Sequence, residues 1–153
     1  MTSISDILQP GHVNLALTAG NKTDAVQEVL AKLNGDARVG DFAALVESVL
    51  SRNAPAIAEN GCGICLAHGR TDSVASLVLA AGRSQEGFGC DDVAAPVRLV
   101  FVAGIPSAFN AEYLRIVGAI ARICRDKHQL DRLLAAKTGA QFVDLLGAGE
   151  RKL

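Results

Sequence analysis

Apolar residues along this chain follow two rhythms. In "TAGNKTDAVQEVLAKLNGD" the residues Ala25, Val26, Val29, Leu30 and Leu33 recur at helical spacing. Asn21 stands three residues before Asp24, the spacing of a capping box, and Asn34-Gly35 supplies a stop, so an amphipathic helix is predicted there. "DFAALVESVLSRN" repeats the stripe with Phe42, Leu45, Val46, Val49 and Leu50, which predicts a second helix that carries Arg52 at its C-terminal end. Three further stripes follow late in the chain. "AEYLRIVGAIARICRD" reads as one long helix, "KHQLDRLLAA" as another behind Asp126, and "TGAQFVDLLG" as a last one with Thr138 and Gln141 at capping-box spacing.

The second rhythm is the near-continuous apolar run. "VASLVLAAG" and "VRLVFVAGI" have the length of strands buried on both faces, and the turn-rich "RSQEGFGCDDVAAP" separates them. "GICLAHG" reads as a short apolar strand ending at the histidine, and "HVNLAL" as a short early strand. Strands buried on both faces need helices above and below. The pattern therefore predicts an α/β domain, a small central sheet with helices on both faces, spanning residues 1–153 as a single unit.

Composition narrows the function classes. Half of the 153 residues are hydrophobic, enough for one core and too few residues for two ordinary domains. A formal net charge of −1 with balanced acids and bases argues against nucleic acid as a partner, because phosphate tracking needs clustered Lys and Arg. The opening "MTSISDILQP" lacks a basic start and an apolar core, and no apolar run approaches the roughly 20 residues that span a bilayer. The expectation is a soluble, cytoplasmic protein without direct membrane insertion.

The candidate chemistry lies in "NGCGICLAHGR", residues 60–70, where a metal site, a redox pair and a phosphate cradle are all conceivable. Cys62 and Cys65 form C-x-x-C, but a structural zinc needs four ligands, and Cys90 and Cys124 stand alone and far off in sequence. On a strand, Cys62 and Cys65 point to opposite faces and cannot easily meet. All four cysteines are expected to be reduced core thiols. His12 and His128 are expected to be surface or packing residues.

His68 is different. A neutral imidazole is a good nucleophile, the glycine beside it admits backbone N–H groups to an anion, and Arg70 can present a fork of donors to phosphoryl oxygens. Together they describe a site that could accept a phosphoryl group.

The run "GCGICLAHGR" resembles the active-site segment of the enzyme IIA component of the bacterial sugar phosphotransferase system, of the fructose, mannitol and nitrogen-regulatory type. The likeness extends through "ISDILQPGHVNLALTAGNKTDAVQEVL", "LVESVLSRN", "VLAAGRSQEGFGCDD" and "DRLLAAKTGAQFVDLL", in that order. It implies a mixed sheet between helices and a phosphoryl acceptor at His68, supplied by the histidine phosphocarrier protein. It implies Arg52 as the cationic partner of that histidine, Arg70 as the arginine that often follows it, and Gly61, Gly63 and Gly69 as positions of the surrounding loop and strand. In the transfer mechanism so implied, backbone N–H groups around Gly69 and Arg70 hold phosphoryl oxygens and no metal or other cofactor is required.

Two positions depart from the family pattern. Ala67 stands where a proline usually precedes the histidine, and Tyr113 stands where active members usually carry a second histidine. A neutral hydroxyl donates one hydrogen bond without positive charge, so it stabilises phosphoryl oxygens less. The leading expectation is a phosphocarrier or regulatory protein that passes its phosphoryl group to a IIB domain, or binds a kinase, transporter or transcription regulator according to its phosphorylation state. With no IIB or membrane region in the sequence, a regulatory role is expected. The alternative is a binding module of the same fold that is never phosphorylated, with Tyr113 and Ala67 in its favour.

Overall fold

The computed structural model describes residues 2–153. A short helix α1 (Ile4–Ile7) opens the chain, closed by a capping box in which Ser3 and Asp6 each bond the other's backbone N–H. Then follow β1 (Val13–Asn14), α2 (Lys22–Leu30), α3 (Phe42–Leu50), β2 (Ala56–Glu59), β3 (Cys62–Arg70), β4 (Val78–Cys90), β5 (Val93–Ile105), α4 (Asn110–Arg125), α5 (Lys127–Ala135) and α6 (Gly139–Arg151). Three of the helix caps are the ones the sequence predicts. Asn21, Asp126 and Thr138 each accept a bond from the backbone N–H three residues on, satisfying a donor that the first turn would leave free.

The five strands form one sheet in the order β1-β4-β5-β3-β2. β1 pairs with β4 and β3 with β5 in parallel, while β2–β3 and β4–β5 are antiparallel hairpins. The sheet is mixed and covered on both faces. Alternation along each strand sends Ile64, Leu66, Leu79, Ala81, Leu99 and Phe101 to the face packed by α1, α4, α5 and α6. It sends Cys65, Ala67, Val78, Ala80, Val100 and Val102 to the face packed by α2 and α3.

Several boundaries differ from those the sequence predicts. "HVNLAL" pairs in register only at Val13 and Asn14; the Asn14 side chain then accepts a bond from the Ala16 N–H and interrupts the strand, although the Leu17 N–H still donates to the Arg83 carbonyl of β4 at 3.0 Å. The segment expected to be a turn between two strands instead prolongs both of them. Phe88 pairs with Val97 and Cys90 with Val93, after a register shift, leaving only Asp91 and Asp92 at the tip. β3 runs two residues past His68, since Arg70 still pairs with Ile105. β2 was not predicted, although Asn60 (φ 51°) and Gly61 (φ 77°) form the left-handed Asn-Gly pair typical of a tight hairpin.

Arg83, buried at the sheet's centre, also escaped the sequence pattern. Its Nη1 donates to the carbonyls of Leu133, Leu134 and Ala136 at 3.3, 3.1 and 2.7 Å. The guanidinium thereby satisfies the orphan acceptors at the end of α5, where the helix dipole favours a cation.

Candidate functional site

β3 carries the site, and the direction of each of its groups follows from strand alternation. The Leu66 N–H donates to the Pro55 carbonyl at 2.9 Å, on the edge facing β2, and the Thr71 N–H donates to Ile105 at 2.9 Å, on the edge facing β5. The N–H groups of His68 and Arg70 therefore share the direction of Leu66, beyond the point where pairing with β2 ends. The Gly69 N–H is turned toward β5. Of the two residues expected to offer backbone donors, only Arg70 presents its N–H on the unpaired edge.

Gly69 has another reason to be a glycine. A Cβ there would stand 2.2 Å from Ser48 Oγ and 2.7 Å from the Val49 nitrogen. The missing side chain lets α3 lie directly on β3, one turn before Arg52. Gly61 supplies the hairpin turn, and a Cβ at Gly63 would stand 2.9 Å from Val97 Cγ2. These glycines serve the backbone.

His68 projects from β3 toward α4, half-buried, with its ring centroid 4.9 Å from that of Tyr113 and the planes inclined by 39°. Its Nδ1 is buried and forms no hydrogen bond. The ring's exposure therefore belongs to its other edge, and Nε2 is the nitrogen that a partner can reach. Burial lowers the pKa of His68 below the usual imidazole value, and the Arg52 and Arg70 charges act in the same direction. The Leu66 carbonyl pulls the other way, an attraction short of a formed bond. The neutral ring is therefore favoured near neutral pH, and Nε2 is its accessible nitrogen.

Around this ring stand three of the residues singled out from sequence. Tyr113 is buried, and burial pushes its phenol up to about 12, so the hydroxyl stays protonated and neutral. Arg70 is exposed and its Nη2 donates to Asn110 Oδ1 at 2.5 Å, tying it to the first residue of α4. Phe109, at the cap position of that helix, provides no side-chain bond; a 3-10 turn, Ser107–Phe109, leads directly into α4, and the Ser107 N–H donates to Asp72 Oδ1 at 3.2 Å. Arg52 is exposed in the loop after α3, close enough for its charge to act on His68. Leu114, next to Tyr113 in the chain, is a large apolar side chain 58% exposed.

The cysteines take no part. Cys62 lies in the core on the α4 face and Cys65 in the core on the α2–α3 face, so the pair cannot close on one ligand. Burial raises both thiols, Cys65 to about 12, and Cys124 likewise to about 12. Cys90 is only half-buried, its sulfur 3.6 Å from Asp92 Oδ2, which corrects the expectation of a core thiol there. Among the described residues no three His, Cys, Asp or Glu side chains cluster closely enough to hold a metal ion. None of the described helices is long and apolar enough to cross a membrane. His12 bonds Asp36 at 3.0 Å through Nε2, and His128 is exposed.

Two residues near the site were not foreseen. Asn110 fixes Arg70 from 40 positions away, and Lys22 bonds the Arg52 loop from α2. Neither has a local sequence signal, since each acts only through a contact distant along the chain.

The fructose-specific EIIA component of the phosphotransferase system from Haloferax volcanii is 29% identical over 147 residues, 95% of this chain and 96% of that protein. The solved structure of nitrogen regulatory protein IIA-Ntr from Neisseria meningitidis superposes with a TM-score of 0.80 at 22% identity, covering 94% of this chain and 98% of that one. A chain from the complex of mannitol enzyme IIA with phosphorylated enzyme IIB of Escherichia coli superposes with a TM-score of 0.73 at 18% identity, covering 93% and 99%. Residues 6–148 match the family described as "Phosphoenolpyruvate-dependent sugar phosphotransferase system, EIIA 2". With that match spanning nearly the whole chain, and with the overall fold shared with the solved structures, this protein belongs to the EIIA 2 family of the phosphoenolpyruvate-dependent sugar phosphotransferase system.

Proposed function

We propose that this protein takes a phosphoryl group from the histidine phosphocarrier protein onto Nε2 of His68 and then either hands it to a IIB domain or signals with it. The observation that carries the proposal is the His68 ring itself: its Nδ1 is buried, its open edge belongs to Nε2, and two arginine charges act on it. As Nε2 forms its bond to phosphorus, the donor's phosphorus–nitrogen bond breaks and that electron pair stays with the donor imidazole. Such a loose, in-line transfer asks the protein for position and for charge at the phosphoryl oxygens. Arg52 supplies charge from one side. The Arg70 N–H and the Arg70 guanidinium supply donors from the other. Tyr113 offers a neutral hydroxyl beside the ring, and Leu114 offers the donor protein an apolar contact.

The fold likeness to nitrogen regulatory protein IIA-Ntr and to mannitol enzyme IIA leaves two roles for the phosphorylated form. In one the acceptor is a IIB domain. In the other the partner is a regulated kinase, transporter or transcription regulator that distinguishes the two states of His68. A binding module that never carries phosphate is the second reading, favoured by the buried, neutral Tyr113.

The pH profile of uptake tests the assignment. Neutral imidazole is the nucleophile, and the pKa of His68 lies below its ordinary value, so its reactive form persists to lower pH than in an unfolded chain. As pH is lowered, the midpoint of the fall in the rate of phosphoryl uptake from the phosphorylated carrier should lie below the ordinary imidazole value of about 6.5. The same depressed pKa favours the folded state above the unfolded imidazole value, and this contribution is lost as pH falls through the folded value. A midpoint at or above the ordinary value of about 6.5 would contradict a depressed His68, and an absence of uptake at every pH would favour the binding module.

A further inference from the structure

The Arg52 side chain is exposed, so its place relative to His68 is set by the backbone that carries it. That backbone is the segment Ser51–Pro55, which has no regular structure until β2 begins at Ala56. One end is fixed to the site, because the Pro55 carbonyl accepts from the Leu66 N–H two residues before His68. Beneath the middle is a cavity of about 50 Å³, with Val26, Val49, Lys22 and Arg52 among its walls. Packing from below is therefore incomplete at the residues that matter.

Lys22 bridges this gap. It is the first residue of α2, and its Nζ donates to Asn53 Oδ1 at 2.8 Å, to the Ala54 carbonyl at 2.8 Å and to Asp92 Oδ2 at 3.0 Å. All the donors of one ammonium group are thus engaged, two by the Arg52 segment and one by the tip of the β4–β5 hairpin. The side chain is 19% exposed and Asp92 34%, so the bonds are partly sheltered from water. We propose that Lys22 is a positioning residue for the His68 site: it clasps residues 53 and 54 to the β4–β5 hairpin and so holds the Arg52 guanidinium where its charge acts on His68.

The clasp rests on reading His68 as the phosphoryl acceptor, yet it can be tested without any transfer. The charges that act on the ring are Arg52 from the loop and Arg70 from its own strand, with the neutral Tyr113 packed against it from α4. Lys22 is not among them, so its removal reaches His68 only through Arg52. Nuclear magnetic resonance titration of the His68 ring protons in the unphosphorylated protein gives the readout. Arg52→Gln should raise the His68 pKa by roughly half a unit, the order of effect expected when one nearby charge is lost through a water-like medium. Lys22→Met should produce a comparable rise, the double variant should rise no further, and Lys22→Arg should remain near the unsubstituted protein. Asp92→Asn, which keeps the Lys22 charge and loosens one arm, should give a smaller rise in the same direction and serves if Lys22→Met does not fold. A His68 pKa unchanged by Lys22→Met, whether or not Arg52→Gln raises it, overturns the clasp. These shifts in a protein that takes up no phosphoryl group would uphold the clasp and count against the assigned transfer, so the two failures are distinguishable.

Discussion

Gly69→Ala should destabilise the protein by about 2–3 kcal/mol and slow phosphoryl uptake as well. The added methyl would stand 2.2 Å from Ser48 Oγ, 2.7 Å from the Val49 nitrogen and 2.8 Å from the Ser48 carbonyl carbon. A serine hydroxyl can rotate away, but the backbone of α3 cannot do so without moving the helix. The helix is anchored by Leu45 and Val49, both buried against the sheet, so a shift opens the core on that face and carries Arg52 with it. Urea denaturation of the two proteins measures the first effect, and uptake rates below the unfolding transition measure the second. Equal midpoints would mean that α3 does not lie on β3 as closely as described.

Tyr113→His should raise the rate of phosphoryl uptake by roughly 10- to 100-fold, the range in which a well-placed donor acts on a developing charge. The tyrosine ring lies 4.9 Å from the His68 ring, near the start of α4, so an imidazole on the same Cβ would sit beside the incoming phosphoryl group. Burial keeps the phenol neutral, with a pKa pushed up to about 12, and a neutral hydroxyl cannot offset the charge gathering on the oxygens. The variant loses some buried surface, because Tyr113 is 5% exposed. A modest drop in stability should therefore accompany the faster transfer. Stopped-time sampling of phosphorylated protein, with Tyr113→His beside the unsubstituted protein, decides the matter, and equal rates would show that the tyrosine hydroxyl serves as well as an imidazole.

The helices were legible because each bears an apolar stripe and a short polar cap, both local properties; Thr138 before α6 and Asp126 before α5 are examples. The faces of β3 were legible too, since alternation alone separates Cys62 from Cys65. The outer part of the β4–β5 hairpin was hidden by Gly87, Gly89 and the polar residues between them, which read as turn although Phe88 still pairs with Val97. β2 is short and half-exposed, and the Asn60-Gly61 pair was its one strong mark. At the site, His68 and Arg70 announce themselves within one decapeptide. Arg52 was reached through resemblance, and the long contacts from Asn110 and Lys22 carry no local mark at all. Gly69 was assigned to the phosphate from its neighbourhood, whereas the close approach of α3 already requires a glycine there.

Intact-mass spectrometry of the protein after incubation with phosphoenolpyruvate, enzyme I and the histidine phosphocarrier protein, beside the His68→Ala variant, tests the central claim. One added phosphoryl group, lost on acid treatment and absent from His68→Ala, is the expected result. No addition to the unsubstituted protein, or an addition that survives His68→Ala, would contradict it.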